Sequence, residues 1–307
     1  MIHGVINIYK EKGYTSHDVV AKLRGIVGQK KIGHTGTLDP DAEGVLPVCL
    51  GKATKLCDLL TDKDKTYEAV LLLGKTTDSQ DITGKVLAEG ETAHLTEAMV
   101  KEAVLGFVGE YDQIPPMFSA LKINGKKLYE LARDGKEVER KPRRVTIYDI
   151  KILEIDLPRV RMEVTCSKGT YIRTLCHDIG QTLGSGGCME SLLRTRVERF
   201  QLADSIRLDQ VRQMNEEGIL GEKLIAIDEM FDYKKVYLKP VAASAVRNGN
   251  GFYKRDILWV SDMMEDIVGE EQVLVYDEEK HFIAIYEYKE QQKFFKIVKM
   301  FFDGNEK

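Results

Sequence analysis

The residues best suited to chemistry in this chain lie in one short segment, residues 33–47, which reads GHTGTLDPDAEGVLP. The segment contains one histidine, two threonines and three carboxylates, and its three glycines and two prolines restrict the backbone around them. Fixing a loop costs conformational entropy, so a loop restricted in this way is expected to hold reactive groups in place. This segment is the first candidate for a functional site.

The carboxylates of this segment superficially resemble a calcium-binding loop. Asp39, Asp41 and Glu43 have the alternating spacing with which such a loop begins, and Gly44 follows them. The twelfth position, however, is Leu50, where a calcium loop requires a bidentate glutamate. Calcium binding is therefore not expected.

Three other interpretations start from the same residues. A phosphate-binding loop is not expected, because six residues separate Gly44 from Gly51 and Ala53 replaces the hydroxyl residue that would hold magnesium. Two carboxylates could hydrolyse a glycosidic bond, but their separation in space does not follow from the sequence. The structural alternative is a capped turn, in which Asp39 and Asp41 accept backbone hydrogen bonds.

Residues 33–47 also resemble the signature loop of the TruB family of pseudouridine synthases, in which a Gly-His-Thr-Gly-x-Leu-Asp-Pro core precedes a small residue, Gly and Leu-Pro. Five further blocks keep the family's order, and six ordered blocks are far more specific than any single block. The sequence departs from the family at Tyr9 and Glu11, where Asp and Pro are usual, and at Val197-Glu198, where a Gly is common. The five further blocks are YKEKGYTS (9–16), KTYEA (65–69), IPPMFSALK (114–122), SKGTYIRT (167–174) and LLRTR (192–196).

The resemblance implies an isomerisation in RNA and assigns three residues to it. Pseudouridine formation breaks the bond between ribose C1′ and uracil N1 and rejoins the base through C5, after the base has left the RNA stack. Asp39 occupies the family's catalytic position, as nucleophile or as base. Arg173 is the expected ion-pair partner that keeps Asp39 charged in a water-poor pocket. Tyr67 is expected to stack on the flipped uracil and to take part in removing the C5 proton.

The same resemblance assigns four further residues to substrate binding. Tyr171 and Leu192 are expected to form the wall of the pocket, and Lys10 to support the active-site loop or to bind phosphate. His34 is expected to fill the gap left by the flipped base, since its aromatic ring is suited to stacking. No ligand-like spacing joins it to His17, its nearest histidine in the sequence, so a metal is not expected. No set of residues suggests a nucleotide cofactor, and the implied isomerisation requires no redox partner, so no cofactor is expected.

A basic segment, residues 122–144, stands out in a protein of net charge -4. Nine of its residues are basic and four are acidic. Such a run is more commonly a solvated surface, but the resemblance identifies it with the family's insertion that grips the T-arm of tRNA through its phosphates. We predict that it is poorly ordered alone and closes on RNA. The residues expected to bind RNA are Lys122, Lys126, Lys127, Arg140, Lys141, Arg143 and Arg144.

Helices that could position these residues are predicted where capping residues precede apolar residues at helical spacing. The first extends from a capping box at Thr15 to Gly28, and the second from Thr96 to about Val108. A third begins after a Lys-Gly turn and carries Tyr171.

Strands and helices alternate without regular βαβ spacing, which predicts an α+β protein. The resemblance implies a pseudouridine synthase fold with a mixed, largely antiparallel central sheet. A change of character near residues 228–239 predicts a small, β-rich module at the end of the chain. The predicted strands are residues 66–73, 144–155, 160–166, 273–276, 282–288 and 294–301.

The chain is long enough, at 307 residues, for a large core and a smaller companion. We predict a catalytic domain over residues 1–235, which includes the basic segment, and a PUA-like RNA-binding domain over residues 236–307. The five cysteines are scattered and form no C-x-x-C pair, which argues against a disulfide framework and a thiolate zinc site. No signal peptide or membrane helix is recognisable, so a cytoplasmic protein is expected. We also expect a monomer.

The function implied by the resemblance is that of a bacterial tRNA pseudouridine-55 synthase. Its partner would be the T-arm stem-loop of tRNA, and no protein partner is required. Two alternatives stay open: a guide-RNA-dependent subunit of a ribonucleoprotein, and a tRNA-binding or tRNA-folding protein whose catalysis is secondary. The guide-dependent relatives usually have terminal extensions, and intact Asp39, Tyr67 and Arg173 argue against loss of catalysis.

Overall fold

A computed structural model of the chain, which describes residues 1–123, 125–260 and 267–302, contains two large β-sheets. The strands of the first sheet and of two short hairpins are β1 (Gly4–Lys10), β2 (Ile32–His34), β3 (Glu43–Leu50), β4 (Lys65–Leu73), β5 (Lys75–Thr77), β6 (Val86–Glu89), β7 (Gly109–Gln113), β8 (Lys122–Ile123), β9 (Lys126–Lys127), β10 (Arg143–Asp156), β11 (Arg159–Cys166), β12 (Gly187–Val197) and β13 (Phe200–Gln201). The strands of the second sheet are β14 (Lys234–Leu238), β15 (Phe252–Tyr253), β16 (Ile257–Val260), β17 (Gln272–Tyr276), β18 (Phe282–Lys289) and β19 (Phe294–Met300).

The described residues also form seven α-helices. The predicted capping box is present, because Thr15 Oγ1 accepts from the N–H of Asp18 while the Asp18 carboxylate accepts from the N–H of Thr15 at 2.8 Å. Thr96 caps the third helix, which ends before the predicted Val108. The helices are α1 (Ser16–Val27), α2 (Cys57–Thr61), α3 (Glu97–Leu105), α4 (Leu128–Arg133), α5 (Ile172–Thr182), α6 (Leu208–Glu216) and α7 (Pro240–Arg247).

The first sheet has nine strands along the path β1-β3-β12-β4-β11-β10-β7, with β2 paired to β3 and β13 to β12. Every pair is antiparallel except β3 with β12. The predicted α+β class with a mixed, largely antiparallel central sheet is therefore confirmed. Because β12 lies between β3 and β4, residues from distant parts of the sequence meet at the centre of this sheet.

Helices α3 and α5 pack on the sheet over β4, β10 and β11. Val104 of α3 and Leu175 of α5 are fully buried there against Met162 of β11, and removal of this apolar surface from water stabilises the layer. Helix α5 also approaches the start of β12 closely: a Cβ at Gly180 would lie 2.2 Å from the backbone nitrogen of Gly187. This contact fixes the helix that carries Arg173.

The segment predicted as a single loop, residues 33–47, is divided in the structure, so that prediction was wrong at both ends. Residues 33 and 34 belong to β2, and β3 begins at Glu43. The cause is pairing: β3 is an apolar strand that lies between β1 and β12 and also pairs with β2. Only residues 35–42 are irregular, and we call them the aspartate loop.

The basic segment folds as a β8–β9 hairpin followed by α4. Leu128 is buried, and its N–H donates to Leu121 O at 2.8 Å, while Tyr129 N–H donates to Ser119 O at 3.1 Å. The segment is thus joined to residues 117–121. Its predicted disorder before RNA binding stays a prediction.

The second sheet has the order β15-β19-β18-β17-β14-β16 and one parallel pair, β14 with β17. The three predicted C-terminal strands correspond to β17, β18 and β19. This sheet shares a core with the first, in which Leu274 and Phe301 pack in one cluster with Val5 and Leu56. The division at residue 235 stays a prediction, and residues 261–266 and 303–307 of the predicted second domain lie outside the described residues.

Candidate active site

The aspartate loop is held in place on both sides of its central carboxylate, Asp39. Leu38 is buried, and its N–H donates to the hydroxyl of Ser16 at 2.9 Å. After the loop, Gly44 has φ +104°, and a Cβ there would lie 2.2 Å from the carbonyl oxygen of Arg194 on β12. Glycine is therefore required where the chain leaves the loop. The loop presents Asp39 in a fixed position, which is the preorganisation that catalysis needs.

Lys10 lies fully buried beneath this loop, at the end of β1. Its Nζ donates to the carbonyls of Pro40 at 3.0 Å, Ala42 at 2.5 Å and Glu11 at 3.2 Å. Burial lowers the pKa of Lys10 to about 8, although the Asp39 charge opposes this effect. These contacts suit the expected support of the loop, whereas the expected contact with phosphate stays a prediction.

Asp39 and Arg173 form a two-point ion pair. Arg173 Nε lies 2.9 Å from Asp39 Oδ2, and Nη2 lies 3.3 Å from Oδ1. Arg173 is buried near the start of α5, whereas 39% of the Asp39 side chain is exposed. The planar guanidinium matches both carboxylate oxygens. The structure thus contains the ion pair expected from the sequence and leaves one side of the carboxylate open.

Arg173 is fixed by further contacts that the sequence analysis missed. Nη1 donates to Asp81 Oδ2 at 3.3 Å and to Ser79 O at 3.2 Å, and Nη2 donates to Phe118 O at 2.8 Å. Asp81 lies outside the six motif blocks, and a backbone carbonyl has no sequence signal. The guanidinium therefore joins Asp39 to a second carboxylate and to the loop before the basic segment.

The groups around Asp39 shift its pKa in opposite directions. Burial raises the pKa of Asp39 above its ordinary value, while the charges of Arg173 and Lys10 lower it. Asp81 and Asp41 raise this pKa further, because a like charge disfavours ionisation. Arg173 is the strongest group that favours the charged carboxylate.

Tyr67 lies on β4 between Val164 of β11 and Arg194 of β12, and only 8% of it is exposed. It belongs to the same apolar cluster as Leu38 and the partly buried Leu192. Burial raises the pKa of the Tyr67 hydroxyl, and the nearby Asp39 charge adds to this. The structure therefore brings Tyr67, Leu192 and the aspartate loop together.

His34 ends β2 at the entrance to the aspartate loop. Its ring meets that of His17 edge to face, with centroids 5.3 Å apart. Burial and the nearby charges of His17 and Arg194 lower the pKa of His34 to about 4. The ring is therefore neutral near pH 7, and Nδ1 accepts the N–H of Gly36 at 3.4 Å. A neutral imidazole suits the predicted stacking better than proton donation.

Tyr171 directly precedes α5 and is held through its backbone by Gln113. The Gln113 amide accepts from Tyr171 N–H at 2.7 Å and donates to Tyr171 O at 3.0 Å. Gln113 is almost completely buried. The sequence analysis missed it, although it stands directly before the IPPMFSALK block. It fixes the position from which α5 and Arg173 start.

The residues predicted to bind RNA differ in their partners. Arg144 pairs with Asp112 at 2.8 Å and with Glu110 at 3.3 Å, and Arg140 pairs with Glu137 at 3.1 Å. The exposed pairs of Arg144 are of a kind that stabilises little, whereas the Arg140 side chain is only 20% exposed and also donates to Pro115 O at 3.3 Å. The exposed basic residues that meet no acidic side chain in the described part of the chain include Lys126, Lys141 and Arg143.

Residues 1–123, 125–260 and 267–302 contain no group of three or more His, Cys, Asp or Glu side chains arranged to hold a metal ion. None of the helices in these ranges combines the length and the apolar character that a membrane span requires.

Comparison with protein families gives two matches. A family model described as the TruB family pseudouridylate synthase N-terminal domain matches residues 24–172. A second, described as the tRNA pseudouridylate synthase B C-terminal domain, matches residues 173–239. Asp39 and Tyr67 lie within the first match, and Arg173 lies within the second.

Individual proteins and solved structures resemble the chain over almost its whole length. The tRNA pseudouridine synthase B of Lachnoclostridium phytofermentans is 52% identical and is matched over 98% of this chain and 100% of its own. That of Alkaliphilus oremlandii is 45% identical over 98% and 99%. A chain from an H/ACA RNP bound to a substrate RNA containing 2′-deoxyuridine has a TM-score of 0.72 at 26% identity, over 99% of this chain and 86% of its own. A chain from a Cbf5-Nop10-Gar1 complex has a TM-score of 0.72 at 28% identity, over 98% and 85%.

Proposed function

Because the chain belongs to the TruB family and is a tRNA pseudouridine synthase, an isomerase, we propose that it converts uridine 55 in the T-loop of tRNA into pseudouridine with Asp39 as the reacting carboxylate. The observation that carries this assignment is the two-point ion pair between Asp39 and Arg173. It supplies an ionised carboxylate, partly open to a substrate, within the family's signature loop.

Asp39 acts on the ribose of the target nucleotide. Its carboxylate either attacks C1′ or removes a proton from C2′, and both routes require the charged form. Arg173 favours that form, and Lys10 and Ser16 hold the loop so that the carboxylate does not turn away. The base is then free to rotate and to rejoin the ribose through C5.

Tyr67, Tyr171 and Leu192 form the pocket for the flipped uracil. The Tyr67 ring stacks on the base and its hydroxyl takes part in removing the C5 proton. His34, neutral near pH 7, fills the space that the base leaves in the loop, which lowers the free energy of the flipped state.

Basic residues of the segment 122–144 hold the T-arm through its phosphates. Phosphate contacts fix register and orientation but do not read sequence. The loop shape and the fit of the uracil in its pocket therefore select position 55. The module after residue 235 is a second, PUA-like RNA-binding domain in this proposal, and the enzyme acts as a monomer.

The test is release of tritium from a T-arm stem-loop labelled at uridine C5. Isomerisation must release the label, because C5 becomes bonded to the ribose. We expect release with the wild-type protein and none with a stem-loop that carries unlabelled cytidine 55 and labelled uridines elsewhere. No release from the first RNA would show that the proposed reaction is wrong.

The same assay separates the two alternatives. A guide-dependent subunit would require a separate RNA before label is released, a possibility that the structural likeness to a chain of an H/ACA RNP makes worth testing. A protein whose main role is tRNA folding would bind and refold tRNA equally well as Asp39→Asn. Release from the stem-loop alone, abolished by Asp39→Asn, supports the proposed function.

A further inference from the structure

Arg194 is a buried cation beside the pocket, and the roles proposed above do not use it. It lies on β12 directly opposite Tyr67 on β4, and only 1% of it is exposed. We propose that Arg194 is the charge partner of Tyr67 and stabilises its phenolate while the C5 proton is removed. The inference rests on the proposed function, because it assigns a positioning residue to that same site.

The guanidinium of Arg194 lies between the aspartate loop and Tyr67. Nε donates to Val45 O at 2.7 Å, and the two terminal nitrogens make longer contacts, to Thr37 O at 3.5 Å and Gly36 O at 3.4 Å. The same residue is paired with Tyr67 across β12 and β4, and its charge opposes the rise in the pKa of the Tyr67 hydroxyl that burial causes. One side chain thus contacts the loop that carries Asp39 and lies beside the tyrosine of the pocket.

An irregularity in β12 decides which of its arginines faces Tyr67. The register shifts between Arg194, which is opposite Tyr67, and Arg196, which is opposite Thr66. Thr66 and Tyr67 are successive residues of β4, so their side chains point to opposite faces of the sheet. Arg196, which is opposite Thr66, therefore lies on the face away from Tyr67, where its Nε donates to Thr66 Oγ1 at 3.1 Å. Without the shift both arginines would lie on one face. Arg196 is therefore a matched control on the same strand.

Arg194 has no carboxylate partner among the residues that the structure describes; its hydrogen-bond partners there are three carbonyls. A buried charge without a counter-ion is unfavourable, so the site is suited to an anion that forms on Tyr67. Lys10 and Lys65 are further cations nearby, and burial lowers the pKa of each to about 8. The titratable groups that face Tyr67 or Arg194 are Asp39, His34, Lys10, Lys65 and Cys166.

The proton balance explains why a cation is needed there. A neutral phenol does not take a proton from carbon, so Tyr67 must react as the phenolate. The C5–H bond breaks, its electron pair returns to the uracil ring and the proton moves to the Tyr67 oxygen. Tyr67 later loses this proton to water, and N1 gains one from solvent, so the sum is an isomerisation. Burial raises the pKa of Tyr67 and the Arg194 charge opposes that rise, so the phenolate would be harder to form without this cation.

A double-mutant cycle tests this inference. Arg194→Met, Tyr67→Phe and the double variant are compared with wild type by single-turnover tritium release from the T-arm stem-loop, over long incubations for the slow variants. We expect Arg194→Met to slow release about 100-fold when Tyr67 is present, because the phenolate that acts as the base forms less readily without the cation. In the Tyr67→Phe background we expect Arg194→Met to slow release by less than about threefold, because Arg194 acts through Tyr67. Arg196→Met is the control and should change the rate by less than about threefold.

The pH dependence adds a measurement that a purely structural role would not change. In Arg194→Met the rate should continue to rise to higher pH than in wild type, because the phenolate forms less readily. Equal slowing in both backgrounds, or an unchanged pH profile, would overturn the inference, since Arg194 would then act only through the loop carbonyls.

The remaining outcomes are also decisive. If circular dichroism shows that Arg194→Met does not fold, the cycle is repeated with Arg194→Lys, which keeps the charge. We then expect about tenfold slower release when Tyr67 is present and no slowing when it is replaced. Equal slowing by lysine in both backgrounds would again contradict the inference. An inactive wild-type protein would instead refute the proposed function.

Discussion

Asp39 and Asp81 share the guanidinium of Arg173, which lies 2.9 Å from Oδ2 of the first carboxylate and 3.3 Å from Oδ2 of the second. The charge of Asp81 therefore affects Asp39 in two ways. It acts directly, and it also neutralises part of the cation that favours the Asp39 carboxylate.

The pH at which activity is lost on the acidic side (the acidic limb) should move in opposite directions when Arg173 and its second carboxylate, Asp81, are replaced in turn. Activity that needs the Asp39 carboxylate falls as the pH drops through its pKa, which burial raises above the ordinary value. Asp81→Asn removes a charge that raises this pKa, so the limb should move to lower pH. Arg173→Gln removes a charge that lowers it, so the limb should move to higher pH. Single-turnover rates at saturating RNA would measure both, and an unchanged limb in both variants would contradict the prediction.

Asp39→Asn should abolish turnover but not binding. The substitution keeps the shape of the side chain and removes the reacting charge, so we expect a loss of at least about 1,000-fold in single-turnover rate. The affinity for tRNA, measured by filter binding, should stay within about threefold. Asp41→Asn in the same loop is the control, since Asp41 is exposed, and near-wild-type turnover is expected. Substantial turnover by Asp39→Asn would remove the central assignment.

Lys10→Met should destabilise the aspartate loop. It leaves the carbonyl of Ala42 without this donor, and an unsatisfied buried group costs about 1–3 kcal/mol, whereas Pro40 O keeps the N–H of Gly13 at 2.9 Å. We expect a lower free energy of unfolding in urea and a single-turnover rate that falls more than affinity does. Lys12→Met removes an exposed lysine two residues away and should change neither quantity. If Lys10→Met weakened only RNA binding, phosphate contact would be its role.

The basic segment should reveal its RNA contacts through salt dependence. Lys126, Lys141 and Arg143 meet no carboxylate within the described ranges, so their replacement by Gln should flatten the slope of log affinity against log salt by up to about 0.9 per lost duplex contact. Arg140→Gln with Arg144→Gln should flatten it less, because both already have acidic partners. Equal slopes for wild type and the triple variant would identify this segment as a solvated surface.

The sequence predicts local structure well where the signal is local. The capping box at Thr15, the cap at Thr96 and the long strands β10 and β11 all follow from nearby residues. In contrast, β14 and α7 were missed. Strand β14 is short, begins with two lysines and becomes a strand through parallel pairing with β17, which is far along the chain.

The residues of the candidate site also fall into two groups: those that sequence motifs identify and those that only the folded structure reveals. Motif blocks were enough to select Asp39, Tyr67 and Arg173, which the fold brings to one place. Asp81 and Gln113 could not be selected, because their contacts with Arg173 and Tyr171 exist only after the sheet and α5 have packed. Isolated polar residues of these types are common on protein surfaces, so their significance is visible only in three dimensions.

The core shared by the two sheets has a consequence for how the chain can be divided. Phe301 and Leu274 pack with Val5 and Leu56, and Lys55 Nζ donates to Met300 O at 2.6 Å. A fragment that ends at residue 235 would expose the apolar side of β1 and of the helical turn after β3, and it would be prone to aggregate. A C-terminal module taken from a relative would be tolerated only if its inner surface packs against the part of this core that β1 and the helical turn after β3 contribute. In evolutionary terms, the C-terminal module is free to vary on its outer surface while its inner surface must change together with the first strand.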